Sequence, residues 1–593
     1  CIAASPQTEI CGNGIDEDCN GQDLQCSNNS ISLTGDIPPS ELPPGLWSNI
    51  EWFDPYPGQW QTIDVTKQGV IPNDGQNDIP AINNIISANS GPIILYFPEG
   101  VYNFNNGQVS GGRSDIIYKG AGTDKTVFIL ENNASGLVWF GSASSSTTPI
   151  IQDMSAYSKI VHVANTTNYA IGDIVRIYQM YDVGEGPMES WGGTYKIINK
   201  TENTIIVDFP IGVPLTVSQN PVLKKITTRK NIGVENIKFV RTSYGGGSTI
   251  SFSRVHNAYV KNVESHNTAK HHVYITQSNN VIVTDSYFNG SQFGGTGGFA
   301  YGVLGELSTG IKVENNIMKD LRHPSVVQVG TSYYIYAYNF HYDTPREICW
   351  YQKPTPSWCG NAALIRDMWN SWREIDVAVH GNYPHNNLWE GNVLYVPGMD
   401  RSHGEDGPIN TFFRNRIYGQ PTSYSWLPGV GIFREVDNEN QNIIGNVMLN
   451  NATLYVRYPT GDEQAFLAAN VQNGQILWGN LSPGAKLPAS LYLRSKPSWW
   501  NNVPWPAFGP DVPTTAINKI PAQVRWEQIN NENSTIVCTN GQNVSCSTGL
   551  LGLCSVGVQT CVNNNWGSCI AASPQTEICG NGIDEDCNGQ DLQ

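Results

Sequence analysis

The chain has 593 residues, a formal net charge of -17 and only 14% charged residues. Nucleic-acid binders need clustered Lys and Arg, so that class is excluded. No apolar run of about 18 residues occurs, which leaves no candidate for a membrane-spanning helix. Gly 59 and Pro 35, with abundant Asn, Ser and Thr, point to an all-β chain rich in turns.

The first 25 residues, CIAASPQTEICGNGIDEDCNGQDLQ, return without a mismatch as residues 569–593. The expectation from this identity is one unit of a longer repeating array, with head-to-tail copies of itself as partners. Thirteen cysteines are present. One period, Cys26 to Cys587, holds 10, an even number that fits disulfides in an oxidising, extracellular setting.

Within residues 1–26, Asp16, Asp18 and Asn20 alternate, Gly21 turns the chain, and Asp23 follows. The copy carries Asp584, Asp586, Asn588 and Asp591. Alternating oxygen donors before a sharp glycine turn are the first half of a calcium loop. The bidentate Glu of an EF-hand is missing, Ser27 standing in its place. Hard oxygen ligands favour calcium over zinc or copper. An Asx-rich turn with solvated carboxylates is the plain alternative. The whole stretch GVQTCVNNNWGSCIAASPQTEICGNGIDEDCNGQD resembles the Cys-rich metal-binding repeats of bacterial surface and secreted proteins, which implies an extracellular module.

Residues 27–50 are Pro- and Ser-rich and read as a linker. Next, a polar loop leads to a short helix, PAINNIISA, then to a strand, IILYF, and a PEG turn. This resembles the N-terminal cap of pectate-lyase-like right-handed parallel β-helices, and implies a helix covering the open end of a coil. Downstream, short strands recur with an Asn or Asp at 236, 262, 285, 316, 339, 392, 415 and 446. The gaps are 26, 23, 31, 23, 53, 23 and 31. A step near 23 fits a coil whose stacked Asn side chains bond along the axis. The expected fold is therefore all-β: a right-handed parallel β-helix over residues 51–470 with an N-terminal capping helix, plus a small disulfide-rich calcium-binding module.

Cys349 and Cys359 bracket an insertion, CWYQKPTPSWC, and are expected to staple it. Residues 471–530, rich in Pro and Trp, resemble the C-terminal tail of bacterial secreted β-helix proteins and read as a strap along the coil. Residues 531–593 hold Cys538, Cys546, Cys554, Cys561, Cys569, Cys579 and Cys587, with no pairing assigned. Asn133, Asn165 and Asn451 begin glycosylation sequons that this much Asn would produce by chance.

Candidate chemistry lies seven to eleven residues past the Asn positions. There stand Lys270, His271 and His272, then His323, then Asp400, Arg401 and His403. The stretch GMDRSHGEDGP adds Glu405 and Asp406, and VHGNYPHNNLWEGN adds His380 and His385. A column of His, Arg and carboxylates suits a sugar acid. A lyase needs a base and a cation on the uronate, and a hydrolase needs paired carboxylates. Of the polygalacturonase pattern only His403-Gly404 is present. Hydrogen-bonded loop anchors are the alternative for all of these residues.

The sequence thus reads as a structural unit of an extracellular filament or giant tandem-repeat surface protein, with calcium- and disulfide-stiffened connectors. The rival is a secreted polysaccharide lyase, glycosidase or carbohydrate-binding β-helix.

Overall fold

A computed structural model describes residues 42–533 except 44, 55–59, 112, 183–185, 244, 293–297, 343–374, 420–428, 436–439, 458–464, 501–502, 513–514 and 516. It also describes 540–541, 543–547, 556–562, 565–566, 570–571 and 573–574. Asp16, Asp18, Asn20, Asp23, Asp584, Asp586, Asn588, Asp591, Cys349, Cys359, Cys538, Cys554, Cys569, Cys579 and Cys587 lie outside the described residues. The chain divides into two compact units, residues 1–523 and 524–593.

The first unit is a right-handed parallel β-helix. Each full coil carries three short strands, as in Thr309–Glu314, Ile317–Lys319 and His323–Gln328. Every strand pairs in parallel with its equivalent one coil away, for example Val283↔Val313 and Val313↔Tyr336. First and second strands belong to one 23-stranded sheet, and third strands form a separate sheet of ten. Alternate side chains point inward and fill a continuous core. It runs from Phe97, Tyr118, Trp139 and Phe252 through Val281, Val313 and Val327 to Trp389, Phe412 and Ile443.

The helix Ile79–Ala88 caps the N-terminal end. Its Ile79, Ile82, Ile85 and Ile86 share one stripe and join the core, and Pro80 sits in the first turn, where its missing N–H costs nothing. At the far end the strand Ala465–Gln472 folds back antiparallel on Gln475–Gly479, which covers the last sheet edge.

The corner after each first strand holds two Asn columns. Asn236, Asn262, Asp285 and Asn315 take left-handed conformations and bond in pairs, Asn262 Nδ2 to Asn236 Oδ1 and Asn315 Nδ2 to Asp285 Oδ1, both at 2.8 Å. One residue later lies a buried column: Asn316, Asn339, Asn392, Asn415, Asn446 and Asn470. Each amide of its first five members donates to the Oδ1 of the next at 2.9–3.2 Å. The single column read from the sequence therefore joined two, slipping by one residue between Asp285 and Asn316. It also stopped one member early, before Asn470.

Residues between Ser142 and Thr227 leave the coil as a six-stranded antiparallel sheet. A bridge from Ile150 to Val163 brings its two edges together, and Val161, Ile177, Tyr195, Val207, Phe209 and Leu223 are buried. The periodicity of this insertion is that of any half-buried strand, so the sequence does not separate it from coil.

The stretch expected as a linker ends packed on the coil. Trp47 is 1% exposed and donates its indole N–H to Asn386 O at 2.8 Å. The Pro- and Trp-rich stretch lies on the Asn corner. Leu491 N–H donates to Glu390 (2.8 Å), and Trp499 and Trp500 meet the Tyr338 ring edge-on.

In the second unit the described strands are antiparallel: Asn543–Ser547 with Val556–Val562, which also pairs with Asn565–Trp566 and Ile570–Ala571. Cys546 and Cys561 sit on these strands.

Candidate functional site

Third strands stack in register, so residues at equal depth form columns across successive coils. Val327 pairs with Val379, Val379 with Met399, and Met399 with Arg434. Val327, Val379 and Met399 point into the core. The next residue of each strand therefore points outward: Gln328, His380, Asp400 and Glu435. Glu306, in register with Gln328, extends the column by one coil. Five polar or ionisable side chains thus line one outer edge at the ends of the third strands.

Neighbours in the column are joined. His380 Nδ1 lies 2.8 Å from Asp400 Oδ2. Asp400 Oδ1 accepts the Ser402 N–H at 2.8 Å, and Glu435 Oε2 accepts the Arg401 N–H at 2.8 Å. Burial works against a charge on Asp400, but the hydrogen bond and charge of His380 and the Ser402 N–H outweigh it. The carboxyl is held below its ordinary value. A carboxylate only accepts, so Nδ1 of His380 carries the proton and Nε2 is left basic when the ring is neutral.

The turns after these strands pack closely. Gly381 (φ 78°) donates to Asp406 Oδ1 at 2.9 Å. A Cβ there would stand 2.6 Å from Gly404 O and 2.8 Å from the His403 carbonyl carbon, so only glycine fits. Burial, with the Asp400 charge next, pushes the Asp406 carboxyl well above its ordinary value. Asp406, 3% exposed, holds this turn through Oδ1, and Asp400 is nearly as enclosed at 5%. His403 lies edge-on to His380, ring centres 4.9 Å apart. Arg401 and Glu405, both partly exposed, are 3.8 Å apart at the rim.

The inserted barrel completes one side. Tyr181 donates its hydroxyl to Glu405 Oε2 at 2.9 Å. Trp191 stacks on Tyr383 at 4.0 Å, with Tyr181 5.0 Å from Tyr383. An aromatic wall thus stands beside the carboxylates.

Of the five leading sequence candidates, Asp400, Arg401 and His403 meet here. His323 lies alongside: its ring centre is 6.2 Å from His380, its Nδ1 bonds Ile375 O, and burial keeps it neutral. His272 does not join them. It is 0% exposed, bonded to Ser265 Oγ (2.7 Å) and Gly290 O (3.0 Å) inside the coil. Sequence reasoning singled out neither Glu435 nor the aromatics, because a distant turn and a separate insertion bring them in. Among the described residues no group of three His, Cys, Asp or Glu forms a metal site. No described helix is long and apolar enough to cross a membrane. Asn133, Asn165 and Asn451 are all exposed.

The family described as "Putative metal-binding motif" matches residues 4–23 and 572–591, and the metal is not identified. Over 150 residues, 24% of the chain, the sequence is 27% identical to a capsule K1-specific depolymerase of Klebsiella phage K64-1. The match spans 17% of that protein. The tailspike protein gp49 of Pseudomonas phage LKA1 superposes with a TM-score of 0.44 at 14% identity, over 69% of this chain and 78% of that one. The A-module of the Azotobacter vinelandii mannuronan C-5 epimerase AlgE4 gives 0.36 at 11%, over 71% and 98%. The expectation of a structural filament unit is overturned here. The curated relative is a depolymerase, and the duplicated ends that suggested an array match a metal-binding motif. The chain is similar in sequence to a capsule depolymerase over about a quarter of its length.

Proposed function

We propose that the chain binds a polysaccharide against the outer edge of its third strands and cleaves glycosidic bonds there. One observation carries this reading: Asp400, 5% exposed, and the partly exposed Glu435 stand at equal positions on adjacent coils, beside the His380 imidazole. Adjacent coils are about 4.8 Å apart. Backbones that close let two side-chain carboxyl groups reach the roughly 5–5.5 Å separation of retaining glycosidases. In such a reaction one carboxylate attacks the anomeric carbon as the other group protonates the departing oxygen, and water then releases the sugar. The Trp191–Tyr383 wall offers flat apolar faces to the C–H side of a pyranose. The name of the sequence relative, a capsule depolymerase, supports the same class of substrate.

The His380–Asp400 pair favours one second reading, β-elimination. There His380 Nε2 would take the C5 proton of a uronate, Arg401 would neutralise its carboxylate, and the C4–O bond would break as C4=C5 forms, the departing oxygen taking a proton from water. The local excess of carboxylates favours hydrolysis.

A panel of neutral and acidic capsular polysaccharides, with the full chain, tests both. New reducing ends without near-ultraviolet absorbance mean hydrolysis, and reducing ends with it mean elimination. No cleavage of any member would sink the proposal. Capsule-type substrates place the work outside a cell. There the terminal motifs are proposed to hold calcium through Asp16, Asp18, Asn20 and Asp23 and their copies, among disulfide-bonded cysteines. Metal analysis after dialysis against equal calcium and copper tests the metal, and retained copper would replace calcium.

A further inference from the structure

The Pro- and Trp-rich strap closes over two carboxyls of the coil. Glu314, Ala337 and Glu390 are in register at the ends of three successive first strands. Each follows a core residue, Val313, Tyr336 or Trp389, and so points away from the core. Both carboxyls are nevertheless buried. Ala337 puts only a methyl between them, and the strap residues Leu491 and Tyr492 reach from one carboxyl to the other.

The bonds across this seam end on carboxyl oxygens. The Leu491 N–H donates to Glu390 Oε2 at 2.8 Å, the Tyr338 hydroxyl donates to Oε1 at 2.9 Å, and the Ser490 side chain is bonded to the same group. Tyr492 donates its hydroxyl to Glu314 Oε1. Trp505 Nε1 donates to the Tyr338 hydroxyl at 3.2 Å, and the Trp500 and Tyr492 rings pack on Tyr338 at 4.8 and 6.1 Å. On either side Arg414 holds Leu487, Pro488 and Phe508, so the stretch around Leu491 can lift while its flanks stay tied.

The groups bonded to Glu390 are uncharged: one N–H and two hydroxyls. Charge reaches it from Arg414 on the next coil, whose guanidinium is bound to Asp511. Glu314, with Lys312 4.0 Å away, faces it across Tyr492. Burial outweighs the bonds and Arg414, and pushes the Glu390 carboxyl from 4.5 up to about 7. A closed strap therefore keeps a proton that a hydrated carboxyl would give up.

We propose that the strap is a latch released by loss of a proton from Glu390. Lifting Ser490, Leu491 and Tyr492 lets water reach the carboxylate, so acid clamps the strap and neutral pH loosens it. Below the ordinary Glu value both forms are protonated, and above about 7 both are ionised, so the response is flat at either end. Between them the opening constant rises by up to about tenfold per pH unit, and by about 70-fold from pH 5 to 8. No residue of the third-strand column takes part, so the latch stands apart from the cleavage reading.

Hydrogen exchange of the full chain tests it, read at the Leu491 amide and divided by the unprotected rate at each pH. Protection is expected to fall about 70-fold from pH 5 to 8. Amides of the core strand Thr309–Glu314 should stay at least roughly 100-fold better protected than Leu491 throughout. Glu390→Gln, which cannot ionise, should keep its pH 5 protection up to pH 8. Tyr492→Phe should lower protection at every pH and leave the slope. A flat wild-type profile overturns the proposal, and so does an unchanged slope in Glu390→Gln. A slope lost in Tyr492→Phe instead would assign the proton to Glu314 and overturn it too. Equal protection of Leu491 and the core strand would make the opening global and leave no latch.

Discussion

His380 and Asp400 are 20 residues apart in sequence and 2.8 Å apart in space because they occupy the same position on consecutive coils. The coil turns a sequence period into a contact, and the contact fixes which imidazole nitrogen is basic.

Asp400→Asn should therefore lose activity without losing the fold. The amide can still accept the Ser402 N–H, but it presents N–H to His380 Nδ1 and reverses the tautomer. General acid–base groups contribute roughly 10²–10⁴-fold, and a loss in that range is expected in initial rates. Thermal midpoints should stay within about 2 °C, because about 1 kcal/mol moves the midpoint of a 150–250-residue domain by only about 2–4 °C and that of a larger unit by less. Because the Asp400 carboxyl is held below its ordinary value, its contribution to stability is present above that value and is lost as pH falls through the lowered one. A variant keeping more than a tenth of wild-type activity would remove Asp400 from the reaction.

The sequence showed the coil because the corner Asn residues sit at a fixed chemical position, where their amides replace turn hydrogen bonds. It blurred the register because NN at Asn315–Asn316 offers two choices, both of them buried, and the left-handed backbone at Asn315 (φ 55°) is what assigns it to the first column. The site was half visible. Asp400, Arg401 and His403 fall in one short stretch, whereas Glu435 needs the length of the next coil, and Tyr181 and Trp191 need the docking of an inserted barrel. His272 misled because a polar ring inside a coil looks, in sequence, like one on its surface.

Glu390 gives the chain a pH-dependent stability of the opposite sign. It is 1% exposed, and burial pushes its carboxyl up to about 7 despite bonds from Ser490, the Leu491 N–H and Tyr338. A raised carboxyl binds more protons in the folded state than in the unfolded state. Stability therefore falls as pH rises from the ordinary Glu value toward 7. At about 1.4 kcal/mol per pH unit, the effect is on the order of 3 kcal/mol. Glu390→Gln should flatten urea-unfolding stability between pH 5 and 8 by about 2–3 kcal/mol. Asp78 and Asp208, both raised to about 6 by burial, keep a residual slope. An unchanged pH profile in the variant would mean that Glu390 ionises freely.

The buried Asn column should dominate the outer one energetically. Asn415 donates to Trp389 O (2.9 Å) and Asn446 Oδ1 (2.9 Å), and accepts from Asn392 N (3.0 Å) and Nδ2 (2.9 Å). Alanine leaves several of these buried groups without partners, at about 1–3 kcal/mol each. Asn415→Ala is expected to cost about 3–6 kcal/mol in denaturant unfolding, and Asn262→Ala, at the exposed corner, less than about 1 kcal/mol. Equal costs would show that the inner amides gain nothing from the dry interior.

Arg414 ties the strap to the coil, and its loss should free the strap before it harms the core. The guanidinium donates to Pro488 O (2.8 Å), Leu487 O (3.0 Å) and Phe508 O (3.0 Å), and binds both oxygens of Asp511 at 2.7 and 2.9 Å. Burial opposes a charge on Asp511, but Arg414 outweighs it and holds the carboxyl below its ordinary value. Asp511 is 43% exposed and can return to water, so the cost of losing Arg414 lies in the buried carbonyls it leaves unpaired, about 1–3 kcal/mol each. In Arg414→Met that cost falls on strap carbonyls, which can recover water by lifting away. Limited proteolysis should therefore cut Arg414→Met between residues 487 and 511 at protease levels that leave wild type intact. The β-sheet circular dichroism should stay at the wild-type level. Simultaneous loss of strap and sheet signal would make the strap part of the core's cooperative unit, and an uncut variant would place the holding force in Trp499, Trp500 and Tyr338 instead.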